Sequence, residues 1–260
     1  YEQRLRLFGS WLDGEITRLD QITPEMIDCW IVTMRRAGLA RATIRSRVRD
    51  IKHFFRWSVK RGYLERSPAD HMALPGGRAV LVVKAIERED LKRMIAAAAY
   101  PRDRALLMFM ASTGCRAGEA ANLRLCDLDV ARREARVNGK TGPRMVDFNH
   151  NTAAALSDWL QIHPTPDGDR VFVGLKAPHR PVSANTIYQV YRRLAIAAGI
   201  AGRFNPHAVR HLVGQMWTDN ANLELTRQKL GHQSINTTMA YANQDRSRLK
   251  RFTDEIDPLA

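Results

Sequence analysis

The stretch LGHQSINTTMAY, residues 230–241, carries the strongest local signal in the sequence. Gly231 stands where a helix would end, because glycine readily adopts the left-handed backbone of a helix carboxyl terminus. Ser234 then suits the amino-terminal cap of a further helix. His232 falls in the break between the two helices, and Tyr241 follows it by nine residues. Taken singly, these two have ordinary interpretations, a hydrogen-bonded core histidine and a packed aromatic ring.

A second stretch, NPHAVRH at residues 205–211, places a histidine and an arginine at the start of a predicted helix. His207 and Arg210 are three residues apart, so both side chains lie on one helix face and can reach a single anion. The backbone N–H groups of a helix amino terminus favour the same kind of ligand. By itself, however, the pattern HxxR is a weak signal.

Two further sites lie upstream. In TGCRAGE, residues 113–119, Arg116 and Glu119 are three residues apart and directly follow an apolar predicted helix. Alone, this pattern predicts a helix break with a surface ion pair of little energetic value.

The other upstream site is a predicted β-hairpin. Residues 135–138 and 144–148 read as short strands, and the segment GKTGP at 139–143 between them supplies the turn. Lys140 lies at the tip, where a side chain projects freely. A lysine at a hairpin tip indicates no function when it is taken alone.

Charge is the informative part of the composition. The 260 residues include 41 Lys and Arg against 27 Asp and Glu, a net charge of +14, and 45% are hydrophobic. A globular protein this basic favours a polyanionic partner, nucleic acid first. Charge that serves only solubility is the alternative.

Cysteine usage and hydropathy exclude other classes of protein. The three cysteines form no CxxC pair, and no histidine cluster has metal-ligand spacing, so neither a disulfide framework nor a zinc site is predicted. No apolar run approaches the roughly 20 residues that span a bilayer, and no signal peptide opens the sequence. We expect a cytoplasmic, nucleoid-associated protein without a membrane segment or a bound metal.

The first part of the sequence, residues 1–73, predicts a helical domain. One helix is expected over residues 1–12, and a second is expected after Thr23 as amino-terminal cap with Pro24 in its first turn. A third, long helix is expected from Arg41 until Gly62 stops it.

The rest of the sequence predicts a second, mainly helical domain. Prolines and glycines between Ser67 and Arg78 indicate a linker, which we place at 74–80, with the second domain over 81–260. The predicted fold class is therefore mainly α with a small antiparallel β-sheet in two domains. Helices are expected in this second domain at 89–99, 102–112, 151–162, 183–198, 207–219 and 223–230.

The long third helix is predicted to have two faces. Its apolar face repeats at helical spacing through Ile44, Val48, Ile51 and Phe55. Beside it runs a basic face on which like charges repel unless something anionic neutralises them. Solvation would explain this face, but DNA phosphate contact is the favoured interpretation. The predicted DNA-binding residues are Arg41, Arg45, Arg49, Lys52 and Arg56.

Considered together and in this order, the four chemical sites resemble the tyrosine recombinases, the phage integrase family that includes lambda integrase, the Xer recombinases and Cre. The family signature is Arg, Lys, His-x-x-Arg, His or Trp, and then Tyr. LGHxSxxTTxxY joined to HxxRH upstream is a specific match, and the resemblance covers nearly the whole sequence. It implies that residues 1–73 are a core-binding domain. Family members usually have a further helix before the position that matches Tyr1, so the first helix of this domain is expected to be missing here.

The resemblance also implies a role for each site residue. Tyr241 is expected to be the nucleophile, Arg116 and Arg210 to clamp the scissile phosphate, and His207 to accept the phenol proton. Lys140 is expected to protonate the departing 5′ oxygen, and His232 to hydrogen-bond the phosphate. Glu119 is expected to orient the histidine and arginine side chains without touching the DNA.

The implied reaction is site-specific recombination of double-stranded DNA through a 3′-phosphotyrosyl intermediate. It needs no ATP, because the covalent link stores the energy of the broken bond, and no cofactor is expected. The family also implies a homotetramer on two DNA sites, accessory DNA-bending or directionality factors, and a carboxyl-terminal exchange segment, here 243–260. Two alternatives stay open: a type IB topoisomerase, and a DNA-binding protein that has lost catalysis.

Overall fold

The computed structural model describes residues 2–12, 14, 16–74, 86–139, 142–165, 168–201 and 204–239. Within these ranges the chain is mainly helical, with one small antiparallel sheet. This confirms the predicted fold class. Contacts between Cα atoms divide the chain into an amino-terminal unit, Tyr1–Val82, and a carboxyl-terminal unit, Val83–Ala260.

The amino-terminal unit contains the helices α1 (Glu2–Trp11), α2 (Pro24–Arg36) and α3 (Arg41–Lys60). As predicted, Thr23 caps α2, because its side chain accepts a hydrogen bond from the backbone N–H of Met26. Gly62 ends α3 in a left-handed conformation, with φ of 76°. Local sequence signals therefore set these helix ends.

The core of this unit is formed by the apolar face of α3. Ile44, Val48, Ile51 and Phe55 are all buried, as the helical spacing predicts. They pack with residues of α1 and α2 in a single apolar cluster that includes Phe8.

The segment expected to begin the linker packs instead on the amino-terminal unit. Ala69 is fully buried in the core of that unit, and Met72 and Leu74 pack against it. Proline and glycine content alone cannot distinguish a linker from a turn that folds onto a core, and the linker placed at 74–80 stays a prediction. Residues 75–85 lie outside the described residues, and the domain boundaries at 73 and 81 stay a prediction.

The carboxyl-terminal unit is built around α5 (Pro101–Thr113), most of whose residues are buried. Leu106, Leu107, Phe109 and Met110 are each no more than 1% exposed, the burial expected of a helix at the centre of a domain. Around α5 pack α7 (His150–Gln161) and α9 (Pro206–Asn220). The helices of this unit are α4 (Arg88–Ala96), α5 (Pro101–Thr113), α6 (Ala117–Ala121), α7 (His150–Gln161), α8 (Ala184–Ala197), α9 (Pro206–Asn220), α10 (Leu223–Leu230) and α11 (Ile235–Thr238).

The sheet contains the strands β1 (Leu128–Asp129), β2 (Glu134–Gly139) and β3 (Gly142–Asp147), all antiparallel in that order. The predicted hairpin is confirmed, but its strands reach closer to the tip than expected. Pairing continues to Gly139 opposite Gly142, so residues assigned to the turn belong to the strands. The hairpin tip, with Lys140, lies outside the described residues.

Candidate active site

Arg116 is held where two helices meet. Helix α5 ends at Gly114, which adopts the left-handed conformation, and Arg116 is the amino-terminal cap residue of α6. The carboxylate of Glu119, three residues on, accepts hydrogen bonds from the Arg116 backbone N–H at 2.9 Å and from its guanidinium at 3.0 Å. The predicted pair therefore exists, but Glu119 is 2% exposed while Arg116 is 37% exposed, so it is no ordinary surface ion pair.

The Glu119 carboxylate bridges two guanidinium groups. Its Oε2 atom accepts a hydrogen bond from Arg144 of β3 at 2.9 Å. Burial alone would raise the pKa of Glu119, but the Arg116 backbone N–H and the charges of Arg144 and Arg116 outweigh it and lower the pKa. Glu119 is consequently an anion that is hydrogen-bonded to Arg116 and Arg144.

Arg210 joins two helix ends. From the second turn of α9 its guanidinium donates to the carbonyl of Gly114 at 2.5 Å and to that of Leu230 at 2.7 Å. These carbonyls close α5 and α10, where the helix dipole places negative partial charge. The end of α5 leads to Arg116 and the end of α10 leads to His232, so the buried Arg210 fixes the loops that follow both helices.

His207 lies one turn before Arg210 on α9, as predicted from the HxxR spacing. Asn205 caps this helix by accepting a hydrogen bond from the backbone N–H of Ala208. Desolvation lowers the pKa of His207, and the positive charges of Arg210 and Arg116 lower it further. The imidazole is therefore neutral at neutral pH and able to accept a proton.

His232 lies just after Gly231, which ends α10 in the predicted left-handed conformation. It is buried, and its Nδ1 atom shares a hydrogen bond of 2.9 Å with the hydroxyl of Thr238. Desolvation, and then the charges of Arg210, Arg116 and Arg144, lower the pKa of His232 to about 4. Arg210 binds the carbonyls of Gly114 and Leu230, which stand two residues before Arg116 and His232, and His207 is one turn away from Arg210 on α9, so these four side chains start from neighbouring backbone.

We expect the His232 ring to titrate near pH 4 rather than at its usual 6.5. Because the pKa is lower in the folded protein than in the unfolded chain, the neutral ring stabilises the fold above pH 6.5, and this contribution is lost as the pH falls from 6.5 towards 4. NMR titration of the histidine Cε1–H signals measures the pKa, and His232→Gln identifies the signal by its loss. An inflection near 6.5 would contradict the desolvated environment.

A groove of about 1280 Å³ adjoins Arg116. It is lined mostly by polar residues, and its cationic side chains outnumber its anionic ones. It meets the site through Arg116, Glu119 and the base of the hairpin, whereas His207, Arg210 and His232 lie outside its lining. The charged residues that line it are Arg116, Glu119, Arg124, Asp127, Arg136, Asp169 and Arg170.

The basic face of α3 in the amino-terminal unit is only partly as expected. Arg41, Arg49 and Arg56 are exposed, and Arg45 is half-buried. Lys52 departs from the expectation, because its ammonium group donates to the backbone carbonyls of Asp70 and Met72. These hydrogen bonds join residues 70–72 to α3, and contact of Lys52 with DNA stays a prediction.

The structure thus brings together Arg116, Glu119, His207, Arg210 and His232. Lys140 and Tyr241 lie outside the described residues, as does the exchange segment 243–260. Within the ranges that the structure describes, no group of histidine, cysteine or carboxylate side chains could hold a metal ion. No described helix is both long and apolar enough to cross a membrane.

The sequence did not point to Arg144 or Thr238, because their contacts depend on tertiary packing. In the structure, a Cβ atom at Gly231 would lie 2.5 Å from the Arg144 Cδ atom, so this glycine leaves room for the arginine as well as ending α10.

Comparison with known families gives two matches. Residues 84–248 match the phage integrase family, and residues 1–62 match the N-terminal SAM-like domain of phage integrases. Tyrosine recombinase XerC of Mycobacterium leprae is 31% identical over 98% of this chain and 91% of the relative. XerC of Mycobacterium tuberculosis is 28% identical over 98% of this chain and 90% of the relative.

Solved structures show the same fold. The Tn1549 transposon integrase in complex with transposon right end DNA superposes with a TM-score of 0.77 at 16% identity, covering 98% of this chain and 91% of that one. A lambda integrase dimer bound to a COC′ core site gives a TM-score of 0.71 at 15% identity, covering 94% of this chain and 88% of that one.

Proposed function

Because the chain belongs to the phage integrase family and is a tyrosine-type site-specific recombinase that acts on DNA, we propose that it cleaves DNA by attack of Tyr241 on a backbone phosphorus. The phenol oxygen forms a bond to phosphorus, and the bond from phosphorus to the 5′ oxygen breaks. The products are a 3′-phosphotyrosyl link and a free 5′ hydroxyl. The observation that carries the proposal is the convergence of two arginines and two histidines on one site.

The two arginines are proposed to stabilise the five-coordinate phosphorus. Their guanidinium groups stay charged at any working pH and offer paired donors that match phosphate oxygens. Arg116 and Arg210 are also held by Glu119 and by backbone carbonyls, so little reorganisation is required when the charge develops. This assignment leaves a metal ion no required part in the step.

Proton transfer is proposed to use the histidine and lysine of the site. His207, neutral at neutral pH, takes the phenol proton, because an ordinary phenol with a pKa near 10 is a poor nucleophile. Lys140 at the hairpin tip gives a proton to the departing 5′ oxygen. His232, with Nδ1 held by Thr238, would reach a phosphate oxygen through Nε2. Glu119 orients Arg116.

Strand exchange follows from the same chemistry run backwards. A 5′ hydroxyl from a partner strand attacks the phosphotyrosyl link, restores the phosphodiester and releases Tyr241, so no ATP is consumed. We propose a homotetramer on two double-stranded DNA sites in the cytoplasm, with residues 243–260 passing between subunits and accessory factors setting the direction.

The experiment for this proposal is covalent trapping on DNA. The protein is incubated with duplexes that have a randomised core and a nick at one of several positions, so that the cleaved end diffuses away. We expect an adduct that resists denaturing electrophoresis, forms in EDTA and yields a site sequence after recovery. If no adduct forms, the result would favour a DNA-binding protein that has lost catalysis. An adduct that relaxes supercoils but never joins partner duplexes would favour the topoisomerase alternative.

The basic face of α3 is proposed to contact DNA phosphates through Arg41, Arg45, Arg49 and Arg56. Each arginine that meets a phosphate releases a counterion, so Arg45→Ala or Arg49→Ala should weaken DNA binding and lower the slope of log affinity against log salt by about one unit. Fluorescence anisotropy over a salt series measures this slope. Arg6→Ala, at an exposed arginine of α1 paired with Glu2, is the control with an unchanged slope. If both α3 variants keep the wild-type slope, the basic face of α3 does not contact DNA phosphates.

A further inference from the structure

We propose that Arg144 is a positioning residue for strand cleavage, which acts by holding Glu119, and through it Arg116, against the base of the hairpin that bears Lys140. This inference rests on the proposed function and assigns a role to a residue that has none in it. Arg144 is the third residue of β3, pairs with Val137 across the hairpin, and is only 15% exposed.

The first observation is the sharing of one buried carboxylate. The Glu119 Oε2 atom takes the Arg144 guanidinium at 2.9 Å, while its Oε1 atom takes that of Arg116 at 3.0 Å. The Oε2 atom also accepts from the Arg116 backbone N–H at 2.9 Å, so with Arg144 present both of its lone pairs are used and the Arg116 guanidinium binds Oε1 alone. Arg116 therefore keeps donors for a phosphate. Without Arg144, a bidentate pair with Glu119 would form and draw Arg116 inward.

The second observation is the close approach of backbone around these two side chains. A Cβ atom at Gly139 would lie 2.6 Å from the Glu119 Oε1 atom, and one at Gly231 would lie 2.5 Å from the Arg144 Cδ atom. Glycine at both positions leaves the space in which the pair is seated. Because one glycine is in the hairpin and the other precedes His232, Arg144 lies between two parts of the site.

The third observation is a reciprocal clamp between β3 and α10. The Arg144 guanidinium donates to the backbone carbonyl of Lys229 at 3.3 Å, and the Lys229 ammonium donates to the backbone carbonyl of Asp147 at 2.8 Å. Two long side chains thus join the hairpin to the helix that ends at Gly231. Lys140 is four residues before Arg144 in the sequence, so the clamp fixes the strand that follows it.

A fourth observation argues against a purely stabilising role. Among the described residues, Arg144 Nε is the one buried side-chain nitrogen or oxygen without a hydrogen-bond partner. A buried donor left unsatisfied costs free energy, so a well-packed apolar residue would suit stability alone better. An arginine here is better explained by its effect on Glu119 and Arg116.

The test compares Arg144→Met and Arg144→Lys with wild type on the trapped DNA site. At saturating DNA we expect the first-order rate of adduct formation to fall about tenfold to a hundredfold in Arg144→Met, the range seen when groups that orient site residues are removed. DNA affinity should stay close to wild type. Arg144→Lys, which restores a cation beside Glu119, should recover part of the rate. Arg132→Met, at an exposed arginine just before β2, is the matched control and should keep the full rate.

A double-mutant cycle with Glu119→Gln isolates the route of the effect. If Arg144 acts through Glu119, the rate loss of the double variant should be well short of the product of the two single losses. Full activity in Arg144→Met, or losses that multiply, would overturn the inference. Thermal unfolding shows whether Arg144→Met is folded, and if it is not, Arg144→Lys takes its place in the cycle. The inference would then be overturned if Arg144→Lys formed the adduct as fast as Arg132→Met and if Glu119→Gln slowed Arg144→Lys by the same factor as wild type. Absence of an adduct in wild type would instead contradict the proposed function.

Discussion

Tyr241→Phe should form no covalent DNA adduct under conditions in which wild type forms one. The substitution removes the phenol oxygen, which is the proposed nucleophile, and retains the aromatic ring. DNA affinity should change by less than about twofold, as for substitutions that remove no packing or buried contact. Denaturing electrophoresis of the nicked duplex measures the adduct, and anisotropy on the same duplex measures the affinity.

A second tyrosine provides the control for this variant. Tyr188 lies on the exposed surface of α8, so Tyr188→Phe should retain adduct formation. An adduct that persists in Tyr241→Phe would mean that another residue is the nucleophile. Peptide mapping of the covalent protein–DNA adduct would then identify that residue.

Arg210→Lys should lose both stability and cleavage. A lysine retains the charge but cannot reach both the Gly114 and Leu230 carbonyls, so at least one buried acceptor loses its charged donor. We expect the free energy of unfolding to fall by about 1–3 kcal/mol. The rate of adduct formation should fall about 10²–10³-fold, the usual effect of removing a donor aimed at transition-state charge. Urea unfolding and single-turnover trapping measure the two effects.

Arg102→Lys separates these two effects. Arg102 is also a buried arginine that donates to a backbone carbonyl, that of Val173, and it lies apart from the described site residues. This variant should lose stability but keep its cleavage rate per folded molecule. Equal rate losses in Arg102→Lys and Arg210→Lys would reduce the role of Arg210 to structural support.

Helix ends and apolar faces could be predicted from the sequence because they depend on neighbours in the chain. Thr23, Asn205 and Gly231 mark helix boundaries by local hydrogen bonding or backbone conformation. The apolar face of α3 follows from its spacing. The five-residue helix α6 was not predicted, because it is too short to show a period.

The contacts that could not be predicted join residues that are distant in sequence. Lys52 has the spacing of a DNA-facing lysine, yet its ammonium meets carbonyls about 20 residues further along the chain. Arg144 has no local pattern at all, since Glu119 and Lys229 reach it from both directions along the sequence. The site residues themselves were found by their order and spacing in a family signature, and no physical pattern would have joined them.

The anchoring of Arg210 affects how inactive relatives should be recognised. A lineage that abandoned DNA cleavage would still depend on this guanidinium to keep two loops in register, so selection for a stable fold would preserve it. The imidazole of His207 is exposed, so the stability of the fold does not depend on it in the same way. Loss of that histidine, rather than retention of the arginine, is therefore the better diagnostic of a decayed enzyme in genome surveys.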